Sequence, residues 1–498
     1  MARTIDPALP ENPLGNLRIN GIADLSVPVH AIRGARDYTA TDHFGSFAVN
    51  NPRPGIRRMR QPMLSVLVPA MLFAATSATA QTAMGWMQQD PAQQTPASIK
   101  PNSVIPATAS VSQVDLHEID RIARALVAGE RVPGLAVAVV QNGQVLMERG
   151  YGVTDVSHPQ PVDAHTAFRL ASLSKSFASA LTGLLVNDGR LAWNNAVVRY
   201  VPSFRLPSEG ATRSVTVADL MSHRVGLTKN AYDRDIEGNL DYPSAVQKLA
   251  SAPMKCMPGE CYAYQNVAFS LIGDVVFAAT GNFYSDAVQA RLFKPLGMND
   301  ASYGLRGIES SPRWAKPHVR GGGRWRALMP KPNFYQLAPA AGVNASISDM
   351  AQWMLAQSGH RTDVLPANVL TQLHTSQVST PTELRGSGWR RERLDSAGYG
   401  FGWRVMSYAG HPLYFHGGAV QGYRGAMAVL PDRDLGIAIL WNSESSLPSG
   451  LLPTILDRAL DLPAVAWIPN SITGGTMPDI AGGHPAPEND DNNGSGND

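Results

Sequence analysis

FRLASLSKSFASALTGLLVND, Phe168 to Asp188, is the stretch from which the rest of the chain can be read. Ser172 and Lys175 stand three residues apart at its head, and Lys175 is the only charged residue between Arg169 and Asp188. Positions three apart share a helix face, so the amine of Lys175 can reach the Ser172 hydroxyl without help from distant segments. The run that follows is apolar on nearly every side, which marks a buried helix. Burial and the positive end of the helix dipole both disfavour the lysine charge, so its pKa is expected to fall and leave a neutral amine able to deprotonate a serine. A bare Ser-x-x-Lys match is weak, on the order of one chance occurrence in two chains of this length. Most lysines near helix starts are solvated surface charges, but these flanks leave little polar surface for that reading.

Composition narrows the field. With 498 residues, 44% hydrophobic and 16% charged, the chain can bury a large core spread over two or three lobes. A net charge of +2, from 42 basic and 40 acidic residues, argues against a nucleic-acid footprint. The partners this suggests are small molecules or peptides.

Near the start, Arg57, Arg58 and Arg60 precede the apolar MLSVLVPAMLFAA, Met63 to Ala75, and then Ala78-Thr79-Ala80. This is the order of a secretory signal peptide, with cleavage expected after Ala80. Thirteen residues fall short of the roughly 20 that span a bilayer. The alternative is a short signal anchor with a cytoplasmic tail. On the signal reading Met59 is the true start, residues 1–56 are a start-site artefact or disordered, and 57–80 are the signal. Residues 81–111, rich in Gln, Pro, Ser, Thr and Ala, read as a linker, 112–463 as the catalytic domain, and 464–498 as a disordered tail. The protein is then exported, periplasmic or secreted. Cys256 and Cys261 could close a small loop there, worth about 2 kcal/mol on the chain-entropy estimate; two free thiols are the alternative. Two cysteines cannot complete a tetrahedral metal site and no His-Glu-x-x-His occurs, so neither metal nor cofactor is expected.

Within the domain, DLHEIDRIARALVAGE (Asp115 to Glu130) has helical spacing at Leu116, Ile119, Ile122, Ala123 and Leu126. GLAVAVVQNGQVLMERGYG (Gly134 to Gly152) reads as a hairpin about Asn142-Gly143, a dipeptide that favours a type I′ turn. VADLMSHRVGL and VAFSLIGDVVFAAT are helix-like, and AMAVLP and GIAILWN, from Ala426 and Gly436, read as a second antiparallel pair. Strands at both ends with helices between predict an α/β (α+β) fold: an antiparallel sheet flanked by helices, plus an all-helical lobe.

A serine–lysine pair still needs an acid for the leaving group and an oxyanion hole. Tyr264-Gln265-Asn266 immediately precedes an apolar helix. In an extended approach Tyr264 and Asn266 point the same way, so a phenol and an amide can face one cleft; packing for Tyr264 and helix capping for Asn266 are the plain alternatives. His416-Gly417-Gly418-Ala419 lies before the final hairpin, where glycines let a ligand approach a strand backbone.

Ser-x-x-Lys, then Tyr-x-Asn, then a short motif ending in Gly resembles the penicillin-recognising serine hydrolases. The resemblance is to their class C β-lactamase-related branch, which includes D-alanyl-D-alanine carboxypeptidases and some esterases. It runs from about Asp115 to Leu462 and includes VTVADLMSHRVGL, FKPLGM, PAAGVNASISDMAQW and YGFGW. It implies a β-lactamase/transpeptidase-like fold, with Ser172 attacking a carbonyl and Lys175 taking its proton directly or through Tyr264. Tyr264 would protonate the leaving group and Asn266 would orient the substrate amide. The N–H groups of Ser172 and Ala419 would form the oxyanion hole, beside His416 and Gly418. β-Lactams, D-amino-acid peptides and esters all suit this scheme, with cell-wall peptidoglycan among the candidate partners. A penicillin-binding sensor without efficient turnover is the rival reading. Class C β-lactamases usually carry Lys-Thr-Gly where this chain has His416-Gly417-Gly418, which removes a permanent cation for a substrate carboxylate. Arg424 is the nearest candidate in sequence to replace it.

Overall fold

Alternation along the strands divides the core in two. Successive side chains of a strand leave opposite faces, and along β1 (Gly134–Gln141) Ala136, Ala138 and Val140 enter one apolar cluster while Leu135, Val137 and Val139 enter another. The computed structural model describes residues 114–476 apart from 387. The expected signal, linker and preceding segment, residues 1–111, lie outside the described residues.

β1 turns into β2 (Gln144–Gly152) through Asn142 and Gly143, whose φ values of 52° and 72° are those a type I′ turn requires. The remaining strands of the main sheet follow late in the chain: β3 (Val378–Ser379), β4 (Leu394–Tyr399), β5 (Arg404–Tyr408), β6 (His411–Val420), β7 (Tyr423–Leu430) and β8 (Leu435–Trp441). They line up as β2-β1-β8-β7-β6-β5-β4-β3, every pair antiparallel. The first strand therefore lies beside the last, Leu135 opposite Trp441. β1 and β8 are buried on both faces, and this explains their nearly continuous apolar sequences.

One face is covered by α1 (Leu116–Val127), capped by the Asp115 carboxylate, and by a C-terminal helix at Leu451–Ala459. Ile119, Ile122, Ala123 and Leu126 are the buried stripe of α1, as their spacing predicts. The other face carries α2 (Ser174–Asn187) and α3 (Ile347–Gln357). The same cluster extends into the helical lobe, where no strand occurs between Arg169 and Ser302 among the described residues. The antiparallel sheet with flanking helices and a helical lobe is the fold class the sequence predicts.

Two expectations need correction. Ordered structure passes residue 463: Trp467 and Ile468 are buried, Trp467 Nε1 donates to Asp457 at 2.8 Å, and a further helix turn spans Asn470–Thr473. The shift to Gly and Pro hides a short apolar strap that closes over α1. In VADLMSHRVGL the helix covers only Val217–Met221, because His223 adopts φ 58°, a left-handed conformation that a helix cannot continue.

Candidate active site

The strand residues Phe168–Arg169 lead into a 3₁₀ turn, Ala171–Leu173, and only then into α2. Ala171 has φ 48°, so the chain bends sharply just before Ser172. Ser172 thus precedes the α-helix proper, yet Lys175 Nζ lies 3.3 Å from Ser172 Oγ. α2 tolerates so many serines in the core because their hydroxyls bond back to its own carbonyls: Ser176 to Leu173 and Ser179 to Ser176. Ser174 Oγ instead accepts the N–H of Val343.

Lys175 is fully buried. Besides Ser172, its Nζ reaches Asn266 Oδ1 at 2.6 Å and the Ala340 carbonyl at 3.1 Å. A neutral amine can donate to these two and turn its lone pair to the serine hydroxyl. The Tyr264 ring centroid is 4.6 Å from Nζ.

Asn266 stands at the N-cap position of α4 (Val267–Thr280), but its side chain makes no capping bond. The capping alternative therefore gives way: Oδ1 takes Lys175, and Nδ2 donates to Asp233 Oδ2 at 2.7 Å. The Asp233 carboxylate accepts, so Nδ2 faces it and Oδ1 is left to accept from the lysine amine. Asp233 was invisible to sequence reasoning. Its carboxyl is pushed up to about 6, chiefly by burial, with the Asn266 bond and the Lys175 charge opposing.

The third segment lies inside β6. Gly418 packs against the turn that carries Ser172: a Cβ there would sit 2.4 Å from the Leu170 carbonyl oxygen, so no larger residue fits. Ala419 pairs with Arg424 across β6 and β7. The Arg424 guanidinium donates to the carbonyls of Val420 and Tyr423, 2.7 and 2.9 Å away. His416 is buried, with Nε2 3.1 Å from Tyr399 Oη and Nδ1 2.6 Å from the Gly417 carbonyl. Burial, then the Arg404 and Lys175 charges, hold its imidazole well below the usual value. Its ring centroid is 6.4 Å from that of Tyr264.

Ser172, Lys175, Tyr264, Asn266, His416 and Gly418 thus converge from three distant segments. Cys256 and Cys261 form a disulfide in the loop leading to Tyr264. The arrangement offers a nucleophile, an adjacent amine, a phenol and a strand backbone, the parts acyl transfer requires.

The Beta-lactamase family model matches residues 119–461. Among curated proteins, the chain is 24% identical over 346 residues to the unguisins hydrolase ungD' of Aspergillus campestris, covering 66% of this chain and 63% of that protein. It is also 24% identical over 331 residues to protein flp of Staphylococcus aureus, with the same coverages. The chain thus spans less than two thirds of the length of these relatives. Of solved structures, the octameric penicillin-binding protein homologue from Pyrococcus abyssi aligns with TM-score 0.61 and 23% identity, over 70% of this chain and 78% of that one. D-amino acid amidase from Ochrobactrum anthropi aligns with TM-score 0.56 and 19% identity, over 69% and 98%.

Proposed function

The chain belongs to the Beta-lactamase family, and from that premise we propose that it is an exported serine hydrolase working through an acyl-enzyme. The observation that carries this reading is the buried Lys175 amine 3.3 Å from Ser172 Oγ, held also by Asn266 Oδ1 and the Ala340 carbonyl. In the proposed cycle Ser172 attacks a carbonyl as its proton passes to Lys175, directly or through Tyr264. The tetrahedral oxyanion is held by the N–H groups of Ser172 and Ala419, and Tyr264 protonates the leaving group. Asn266, beside Lys175, orients the substrate amide in this scheme.

The candidate substrates are D-amino-acid amides or peptides, esters and β-lactams. His416 supports the uncharged end of that range: both ring nitrogens are engaged within the protein, so it offers no cation to a substrate carboxylate. Amides and esters without a free carboxylate are the preferred class in this proposal. The name of the D-amino acid amidase agrees with amide cleavage, and that of the unguisins hydrolase with hydrolysis.

Protein beginning at Gln81, assayed on a D-amino-acid amide, a nitrophenyl ester, a D-alanyl-D-alanine peptide and a chromogenic cephalosporin, tests the reading. Multiple turnovers on the amide or ester are expected, and Ser172→Ala should abolish covalent labelling by a fluorophosphonate. Labelling of Ser172→Ala at wild-type stoichiometry would remove Ser172 as nucleophile. A stable penicillin adduct without turnover on any of the four substrates would favour a sensor.

A further inference from the structure

His223 belongs to none of the three motifs, yet it touches the second and reaches the third. It is fully buried in the left-handed conformation noted above. Its carbonyl accepts the N–H of Ala263 at 3.0 Å and its ring Nδ1 accepts the N–H of Gln265 at 3.2 Å. One residue therefore holds the backbone on both sides of Tyr264, and its ring lies 4.3 Å from the Tyr264 ring. On the far side its Nε2 is 3.2 Å from Tyr399 Oη, the same hydroxyl that meets His416 Nε2 at 3.1 Å.

The two ends of this run fix every proton in it. A backbone N–H only donates, so Nδ1 of His223 is bare and its Nε2 carries the hydrogen. A backbone carbonyl only accepts, so His416 Nδ1 carries the hydrogen toward Gly417 and its Nε2 is bare. Tyr399 then accepts from His223 and donates to His416, with no position left ambiguous. Both imidazoles must be neutral for this, and burial holds both well below the ordinary histidine value. A non-glycine residue kept at positive φ is retained where its surroundings over-determine it; here those three hydrogen bonds and the contact with the Tyr264 ring do so.

We propose that His223 and Tyr399 are positioning residues that lock Tyr264 to strand β6, setting the separation between the phenol on one side of the cleft and the oxyanion strand on the other. The role rests on the acyl-enzyme reading given above. It also accounts for histidine at 416: the third motif contributes a hydrogen-bond acceptor to a brace, where a lysine could only donate.

Two measurements test the lock. In the unaltered protein labelled with ¹⁵N-histidine, opposite tautomers are expected, Nε2–H at His223 and Nδ1–H at His416, both neutral from about pH 5 to 8. The same tautomer at both sites, or titration of either near its ordinary pKa, overturns the proposal. Second, Tyr399→Phe keeps the ring and deletes the hydroxyl. The limiting rate of Ser172 acylation by a fluorophosphonate should fall about tenfold to a hundredfold, with half-saturation changed less than about threefold. A folded Tyr399→Phe protein with the wild-type limiting rate would also overturn it. Should that variant not fold, the tautomer assignment still decides. Absence of labelling in the wild type would reject the hydrolase reading and leave the tautomer test intact.

Discussion

Lys175 on α2 and His416 on β6 are both buried bases at one site, and the protein holds them in opposite ways. The amine meets a backbone carbonyl, an amide oxygen and the Ser172 hydroxyl, the nucleophile of the proposed mechanism. The imidazole spends one nitrogen on a backbone carbonyl and the other on a phenol that is itself committed to His223. Burial leaves the first poised and the second saturated. A buried base is therefore chemically informative only when its last partner is a group that can change.

The largest effect expected is at the poised end. Lys175→Ala should lower acylation of Ser172 by about a thousandfold or more, read as the second-order rate of fluorophosphonate labelling; a fall of less than about tenfold would break the contrast. At the saturated end, His416→Ala leaves the Tyr399 hydroxyl without its acceptor. That should cost about 1–3 kcal/mol in urea unfolding, with preference for ester over carboxylate-bearing substrates unchanged. A reversal of that preference would show that His416 meets substrate.

Replacing both cysteines by serine acts mainly on the unfolded chain and sharpens the comparison by touching neither base. Stability should drop by about 2 kcal/mol, while kcat on the best substrate stays within about twofold of wild type. At Asp233 the expected effect depends on pH and vanishes in acid. Its folded pKa of about 6 lies above the unfolded value, so the folded state holds its proton more tightly, and the associated stability is full at low pH and lost as pH rises through about 6. Asp233→Asn cannot ionise, yet can still accept from Asn266. It should match wild type near pH 4 and exceed it by up to about 3 kcal/mol above pH 7, measured by urea unfolding across pH. Equal stability at both pH values would show that Asp233 is not strained by burial.

The sequence was most legible where chemistry and periodicity share one continuous segment. Ser172 and Lys175 are three residues apart, the Asn142-Gly143 turn is local, and the apolar run Val267–Thr280 is a helix from end to end. Legibility failed where a residue is defined by partners far away. Asp233 meets Asn266 across 33 positions and His223 meets Tyr399 across 176, and neither is marked by local pattern. Asn266 shows both sides: its place before a helix suggested a cap, while two titratable neighbours brought in by the fold took its side chain instead.

The pairing of β1 with β8 also sets a timetable. During synthesis the hairpin ending at Gly152 emerges early, and the apolar edge of β1 must wait for Leu435–Trp441 before it is covered. Gly418, against which the nucleophile's turn is seated, arrives only shortly before that. A nascent or truncated chain lacking β6 to β8 therefore contains Ser172 and Lys175 but not the surface that shapes them into a site. On the proposed mechanism, reactivity of Ser172 is then a late event in the life of the molecule, and its labelling would serve as a chemical clock for completed assembly.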